Sequence, residues 1–231
     1  MTKEKKIQKE EKNIVAVEEA LTKTEQFIEK NQKSIIYILG VILAIIAIYV
    51  GVTRFYFEPR EKEAQSQIFM AERYLEKDSI SLALNGDGQY PGFLDIIDEY
   101  SMTKTAKLAH HYAGICQLRL GQYDEAITHL KKFKGKDKVI TAMNLGLIGD
   151  AYLEKGDFQE AYDYYIKASE KNANNFTTPL FIFKAGMMAE ELKKYDKAEE
   201  LFNTIKREYR SSAEFRNIDK YIGRVQALNK K

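Results

Sequence analysis

Three histidines and one cysteine are the first side chains of this sequence to weigh for chemistry. His110 and His111 are adjacent. Neighbours on a helix project to different faces, so the two cannot hold one metal ion by themselves. His110 falls in an apolar register and reads as structural. Cys116 has no acid or base at a spacing that would lower its pKa, and it reads as inert. No nucleophile elbow, H-E-x-x-H pair, C-x-x-C or phosphate loop occurs. The "NGDG" at Asn85 looks like part of a calcium loop but lacks the remaining ligand spacing and the terminal glutamate, so it reads as a turn. Asn175-Phe176-Thr177 forms a glycosylation tripeptide of the kind that chance supplies often. The basic run "KKFKGKDK" at Lys131 reads as a solvated connector, with an anionic partner as the alternative. These residues predict a protein without catalytic centre, metal or cofactor.

Composition points the same way. A net charge of +2 gives no reason to expect nucleic acid, and no small-molecule substrate is indicated. One cysteine excludes an internal disulfide framework. Few prolines and many Ala, Leu, Glu and Lys favour helix throughout.

One segment departs from the average. Ser34 to Thr53, "SIIYILGVILAIIAIYVGVT", runs 20 residues without a charge, between Lys33 and Arg54. A helix of that length covers about 30 Å, the thickness of a hydrocarbon core. Tyr37, Tyr49, Phe55, Tyr56 and Phe57 lie near its ends, where amphipathic rings prefer the interface. Residues 34–57 are therefore expected to span a lipid bilayer once, as a permanent anchor. A long preceding segment and the absence of a small-x-small cleavage site argue against a signal peptide. Residues 1–33 form a charged N-terminal segment, either a frayed tail leading to a short amphipathic helix or a solvated tail throughout. Basic residues are nearly balanced across the span: Lys23, Lys30 and Lys33 precede it, and Arg54, Arg60, Lys62 and Arg73 follow it. Eight lysines against seven acids in the first 33 residues lean toward a cytoplasmic N-terminus.

After the span the chain repeats. Aligning Gly88, Gly121, Gly156 and Lys193 gives periods of 33, 35 and 37. Two residues on stand Tyr90, Tyr123, Phe158 and Tyr195; five on, Phe93, Ala126, Ala161 and Ala198; nine on, Ile97, Leu130, Tyr165 and Phe202. Gly114, Gly149 and Gly186 each precede the repeated alanine by 12 residues. A glycine inside a helix costs about 1 kcal/mol relative to alanine, so three in one slot predict close helix–helix approach, with the alanine on the facing helix. Gly121 and Gly156 fall where a helix ends and a positive φ is favoured. Lys193 in that place predicts a strained or differently shaped turn.

These residues carry a resemblance to the tetratricopeptide repeat, a helix–turn–helix unit of about 34 residues. It covers roughly residues 60 to 210 and is clearest in "HYAGICQLRLGQYDEAITHL" and "NLGLIGDAYLEKGDFQEAYDYY". The first unit departs most: "RYLEK" at Arg73 echoes "AYLEK" at Ala151, but about ten extra residues precede "GQY", and Phe93 stands at the alanine. The frequent tryptophan is replaced by His110, Leu145 and Ile182. The resemblance implies an all-α protein: an N-terminal transmembrane helix, then residues 58–231 as a right-handed α-solenoid of repeat hairpins. The expected repeats are 60–103, 105–138, 140–175 and 178–210, with a capping helix at 212–229.

In such a solenoid the first helix of each pair lines a concave groove. Here that implies Leu108, His111, Ile115 and Leu118, then Met143, Gly146, Asp150 and Leu153, then Leu180, Phe183, Met187 and Glu190. The lysines, asparagines and arginine with which chaperone-tail-binding members hold a C-terminal carboxylate are missing. The apolar row is expected either to be filled by the chain's own capping or linker helix or to receive a segment of another protein. The layout is similar to the ancillary subunit family of the bacterial protein-export translocon. That resemblance implies an inner-membrane location, a periplasmic repeat domain and translocon or chaperone partners. The alternative is a recruitment platform facing the cytoplasm.

Overall fold

The computed structural model describes the backbone of residues 3–230 and the side chains from residue 25 onward, apart from residues 26 and 29. The chain divides into two compact units, residues 1–58 and 59–231. In the first, α1 spans Lys3–Val52 and a π-helical turn follows at Thr53–Phe57. The residues expected as a tail are thus helical in backbone from Lys3 on. This helix is long and apolar enough to cross a membrane, and none of its apolar window is buried. The apolar side chains from Ile36 to Val52 are exposed on every face, which an aqueous helix has no reason to maintain.

The second unit contains α2 (Glu58–Glu76, its first residue belonging to the other unit), α3 (Ile80–Asn85), α4 (Phe93–Glu99), α5 (Lys104–Arg119) and α6 (Tyr123–Lys132). It continues with α7 (Lys138–Glu154), α8 (Phe158–Lys171), α9 (Thr177–Glu191), α10 (Tyr195–Glu208) and α11 (Ile218–Asn229). Hairpins α5–α6, α7–α8 and α9–α10 follow one another, and each second helix packs on the first helix of the next pair. Side chains fix the starts: Thr103 Oγ1 accepts from the Ala106 amide at 3.0 Å and the Asp137 carboxylate from Ile140 at 2.8 Å, removing orphan donors of the first turn.

The hairpin turns share one construction. The amides of Ser79, Gln122, Asp157 and Lys194 donate to the carbonyls of Tyr74, Gln117, Tyr152 and Ala189, at 2.8–2.9 Å. The amides of Asp78, Gly121, Gly156 and Lys193 donate to Leu75, Leu118, Leu153 and Glu190 at 2.9–3.1 Å. This pair of bonds ends a helix by placing one residue in the left-handed region. The φ values are +59° at Asp78, +75° at Gly121, +78° at Gly156 and +58° at Lys193. Lys193 therefore adopts the same turn as the glycines, and strain without a change of shape is the outcome. Gly88 is not the equivalent of Gly121: Asp78 is. The hydrogen-bond pattern identifies the turn where residue type did not.

The same correction rewrites the first hairpin. Five residues after Asp78 stands Ala83, fully buried, in the place of Ala126, Ala161 and Ala198. Phe93 does not replace the alanine. The second helix begins at Ile80, breaks at Gly86 and resumes at Phe93. Its broken ends touch: a Cβ added to Gly92 would lie 2.4 Å from the Leu84 carbonyl, and one on Gly86 2.5 Å from that of Tyr90. The intervening loop is organised by Asp87, whose carboxylate accepts from the amides of Gln89 (2.9 Å) and Tyr90 (2.7 Å) and from the Tyr74 hydroxyl (2.6 Å). A carboxylate supplied with three donors is a turn anchor rather than a cation ligand.

Within each regular hairpin the glycine slot receives the large residue sixteen positions on. A Cβ at Gly114 would sit 2.5 Å from Leu130 Cγ, one at Gly149 2.6 Å from the Tyr165 ring, and one at Gly186 2.5 Å from the Phe202 ring. Leu130, Tyr165 and Phe202 are fully buried. At Gly114 the added Cβ would also lie 3.3 Å from the Ala126 carbonyl oxygen. By the echo of "RYLEK" and "AYLEK", the first hairpin has Ala71 in the glycine slot, also fully buried. It packs in a core with Ala64, Ile68, Ala83, Phe93 and Ile96.

Candidate functional site

The residues expected to form one groove fall into three environments. The first is the seam between successive first helices. His111 is buried, with Nδ1 donating to Asn144 Oδ1 of α7 at 2.8 Å and its ring 5.1 Å from Phe133. Asn144 passes the connection on, donating to the Leu130 carbonyl at 2.9 Å. Burial holds the His111 pKa below the usual imidazole value, against the opposing pull of the Asn144 hydrogen bond. Gly146 lies under the Phe181 ring of α9, which an added Cβ would meet at 2.0 Å. Phe183 stands edge-on to Tyr221 of α11, with centroids 4.7 Å apart. The equivalent slots His111, Gly146 and Phe183 are therefore joints between hairpins. A first helix flanked by another first helix must use one line of its surface for that neighbour.

The second environment is the cover supplied by α11. Met187 belongs to the same cluster as Phe183, Ile222 and Val225. Glu190 accepts from Arg224 Nη2 at 2.6 Å, and the same nitrogen lies 3.4 Å from Met187 Sδ. At this end of the row the chain's own terminal helix is the occupant.

The third environment is open. A cleft of about 500 Å³ is lined by Leu118, Arg119, Tyr123, Asp150, Leu153, Glu154 and Lys184. Leu118, Asp150 and Leu153 were expected there; Arg119, Glu154 and Lys184 were not. Asp150 is the hub. It accepts from Lys184 Nζ at 2.6 Å and from the Tyr165 hydroxyl at 2.6 Å. Burial, then the Asp150 charge, pushes the Tyr165 phenol well above its ordinary pKa. Lys184 also lies over the Tyr165 ring, 5.4 Å from its centroid. Met143, Leu153 and Leu180 remain half-buried over the core around Tyr165 and Phe181. Ile115 is half-buried, and Leu108 borders a second, smaller cleft of about 390 Å³ with Glu61, Gln65 and Glu72 of α2.

Of the repeat residues, Tyr123, Phe158 and Tyr195 open the second helices and are half-buried, and Ala126, Ala161 and Ala198 are fully buried. His110, assigned to the core from its register, is only half-buried and faces His129 across the α5–α6 hairpin, Nδ1 to Nδ1 at 3.0 Å. His111 is the core histidine instead. Burial, followed by His129 and Lys132, brings His110 down to about 4, with Asp98 opposing. Burial raises the Cys116 thiol to about 11, and the residue is fully enclosed. Among the described residues no group of three His, Cys, Asp or Glu side chains could hold a metal ion. In the glycosylation tripeptide the acceptor Asn175 is exposed, whereas Thr177 is fully buried and its hydroxyl accepts from Asn174 Nδ2 at 2.6 Å.

Sequence reasoning missed Lys184 because it lies between two core positions of its helix. Its partner Asp150 is 34 residues earlier, so only the stacking of α7 beside α9 brings them together.

Comparison with known proteins agrees with this geometry. Residues 109–137, 145–175 and 182–212 match the tetratricopeptide repeat family. Those segments are α5–α6, α7–α8 and α9–α10 almost hairpin by hairpin. No curated protein matches the chain. The broken first hairpin carries no such match, although its turn and its buried alanine follow the same plan. An N-terminal apolar helix, followed by a solenoid of tetratricopeptide-type hairpins with a capping helix, is the architecture of this protein.

Proposed function

We propose that the chain is a membrane-tethered scaffold that holds partner proteins near a bilayer, without catalysis of its own. One observation carries this reading: a helix with an unburied apolar window long enough to cross a membrane is joined to a hairpin stack that leaves a cleft open between α5, α7 and α9. The scaffold role rests on the repeats; the tether rests on the length and exposure of α1. Tethering acts through effective concentration, which reaches the millimolar range when two sites are joined by a short linker. The cleft suits an extended segment with apolar groups for Leu118 and Leu153 and charges of either sign for Lys184 and Glu154.

The finer reading places the anchor at residues 34–57 in a bacterial inner membrane, with the repeats in the periplasm beside the export translocon and its chaperones. Its support is layout: a short leading segment, one span and a domain of four hairpins. A photo-crosslinker at Leu153 in intact cells tests it. Capture of translocon or periplasmic chaperone subunits is expected, and capture of cytoplasmic proteins alone overturns it in favour of the cytoplasm-facing platform. Resistance to alkaline carbonate extraction tests the anchor separately.

A further inference from the structure

Each second helix runs back against its first, so the connectors between hairpins all fall at one end of the stack. That end is also where α2 begins. Arg60 donates to the Glu99 carbonyl at 2.6 Å, and the Glu61 carboxylate accepts from the Lys104 amide at 2.6 Å and the Thr105 hydroxyl at 2.9 Å. The start of α2 is thus fastened to the first connector, and Pro59 follows the apolar span by two residues.

This end differs from the other in charge and in exposed apolar groups. Residues 131–138 hold five lysines against one aspartate, and that aspartate caps α7. Lys132, Lys134, Lys136 and Lys138 are exposed, and none makes an ion pair among the described residues. On the same edge the side chains of Met102 and Phe176 are 67% and 75% exposed in their connectors, with no core contact to explain an apolar residue there. At the turns of α5–α6 and α7–α8 the balance reverses, with Asp124, Glu125, Glu154, Asp157 and Glu160 outnumbering Arg119 and Lys155, and at the α9–α10 turn Glu190, Glu191 and Asp196 match Lys193, Lys194 and Lys197.

We infer that the connector edge of residues 59–231 is a docking surface for anionic lipid headgroups, with Lys132, Lys134, Lys136 and Lys138 supplying charge and Met102 and Phe176 supplying apolar contact. Lysines on an irregular connector present mobile point charges. They suit a diffuse negative surface better than a single phosphate, which needs fixed and convergent donors. Exposed apolar tips beside them suit the headgroup–acyl boundary and find no apolar partner on a sulfated polysaccharide such as heparin. The inference rests on the membrane-tether reading for its biological setting.

The test uses residues 59–231, a unit with its own buried core, in co-sedimentation with vesicles of phosphatidylcholine with and without phosphatidylglycerol. Binding is expected only with the anionic lipid and falls between about 0.05 M and about 0.5 M salt as screening shortens. The K132Q/K134Q/K136Q/K138Q variant is expected to lose on the order of 100-fold in partitioning, since each lysine near an anionic surface contributes substantially. Its unchanged circular dichroism and melting confirm the fold, because all four side chains are exposed. Phe176→Ser is expected to lose less, and Asp124→Asn at the opposite end nothing. Equal binding to neutral vesicles, an unaffected quadruple variant, or capture by soluble heparin as tight as by vesicles overturns the proposal. The fragment lacks the span, so this outcome is independent of whether the full chain resists carbonate extraction.

Discussion

At the turn of the first hairpin Asp78 stands where the second and third hairpins have Gly121 and Gly156, yet all three adopt a positive φ and the same two capping hydrogen bonds. Inside the same hairpin Ala71 stands where the others have Gly114, Gly149 and Gly186. Its second helix is broken into α3 and α4, whereas α6, α8 and α10 are continuous. The regular hairpins insert a large residue into a glycine gap, and the first fills its core with small residues and Phe93 instead. The turn and the buried alanine survive in all four. The contact that depends on a missing Cβ does not. Chain reversal is thus the fixed requirement of the stack, and the interior can be filled in more than one way.

The largest expected effect separates the two interiors. Gly149→Val and Gly186→Val drive a side chain into the rings of Tyr165 and Phe202, and each is expected to cost about 3 kcal/mol, the upper range for overpacking. Ala71→Gly removes only a methyl group from a helix and is expected to cost about 1 kcal/mol. Urea unfolding of the three variants checks the order; similar costs would erase the distinction between the hairpins.

The turns come next. Gly156→Ala places a Cβ at φ +78° and is expected to lose about 1–2 kcal/mol. Lys193→Gly relieves the same penalty at φ +58° and is expected to gain up to about 1 kcal/mol. Opposite signs for one slot, measured by thermal melting, would show that residue type and turn shape are set separately.

The α5–α6 hairpin alone carries facing histidines. Burial, then His129 and Lys132, holds His110 near 4, below its unfolded value of 6.5, and His129 is lowered as well. Between these values the unfolded chain binds more protons than the folded one. Stability is therefore complete above about pH 6.5 and is lost as pH falls toward 4. His129→Gln is expected to flatten the dependence of Tm on pH in that window, while variants in α9–α10 leave it unchanged. The smallest effect belongs to the loop. Deleting residues 87–91 rejoins ends that already touch and is expected to change stability by only about 0.5 kcal/mol.

The hairpins α5–α6, α7–α8 and α9–α10 were legible because glycine, aromatic and alanine recur at fixed offsets, and each offset reports a local requirement of helix or turn. The first hairpin was misread in one detail. "GQY" at Gly88 repeats the residue types of "GQY" at Gly121, but the backbone turn is at Asp78, which the echo of "RYLEK" with "AYLEK" marks. The groove was legible in part. Leu118, Asp150 and Leu153 do share a cleft, whereas His111, Gly146 and Phe183 face neighbouring helices. Periodicity reports which side of a helix is apolar. It does not report which part of that side a neighbour covers.

The sequence by itself determined the helices, the unbroken apolar stretch at residues 34–53 and the period of the stack, because each is written in contacts only a few residues apart. Tertiary structure decided the rest. It placed His110 against His129 and His111 against Asn144, seated Tyr165 in the gap at Gly149, joined Lys184 to Asp150 and laid α11 over Met187 and Glu190. Those pairs are separated by 16 to 37 residues, and only the crossing of one hairpin over the next fixes which of several available faces meet.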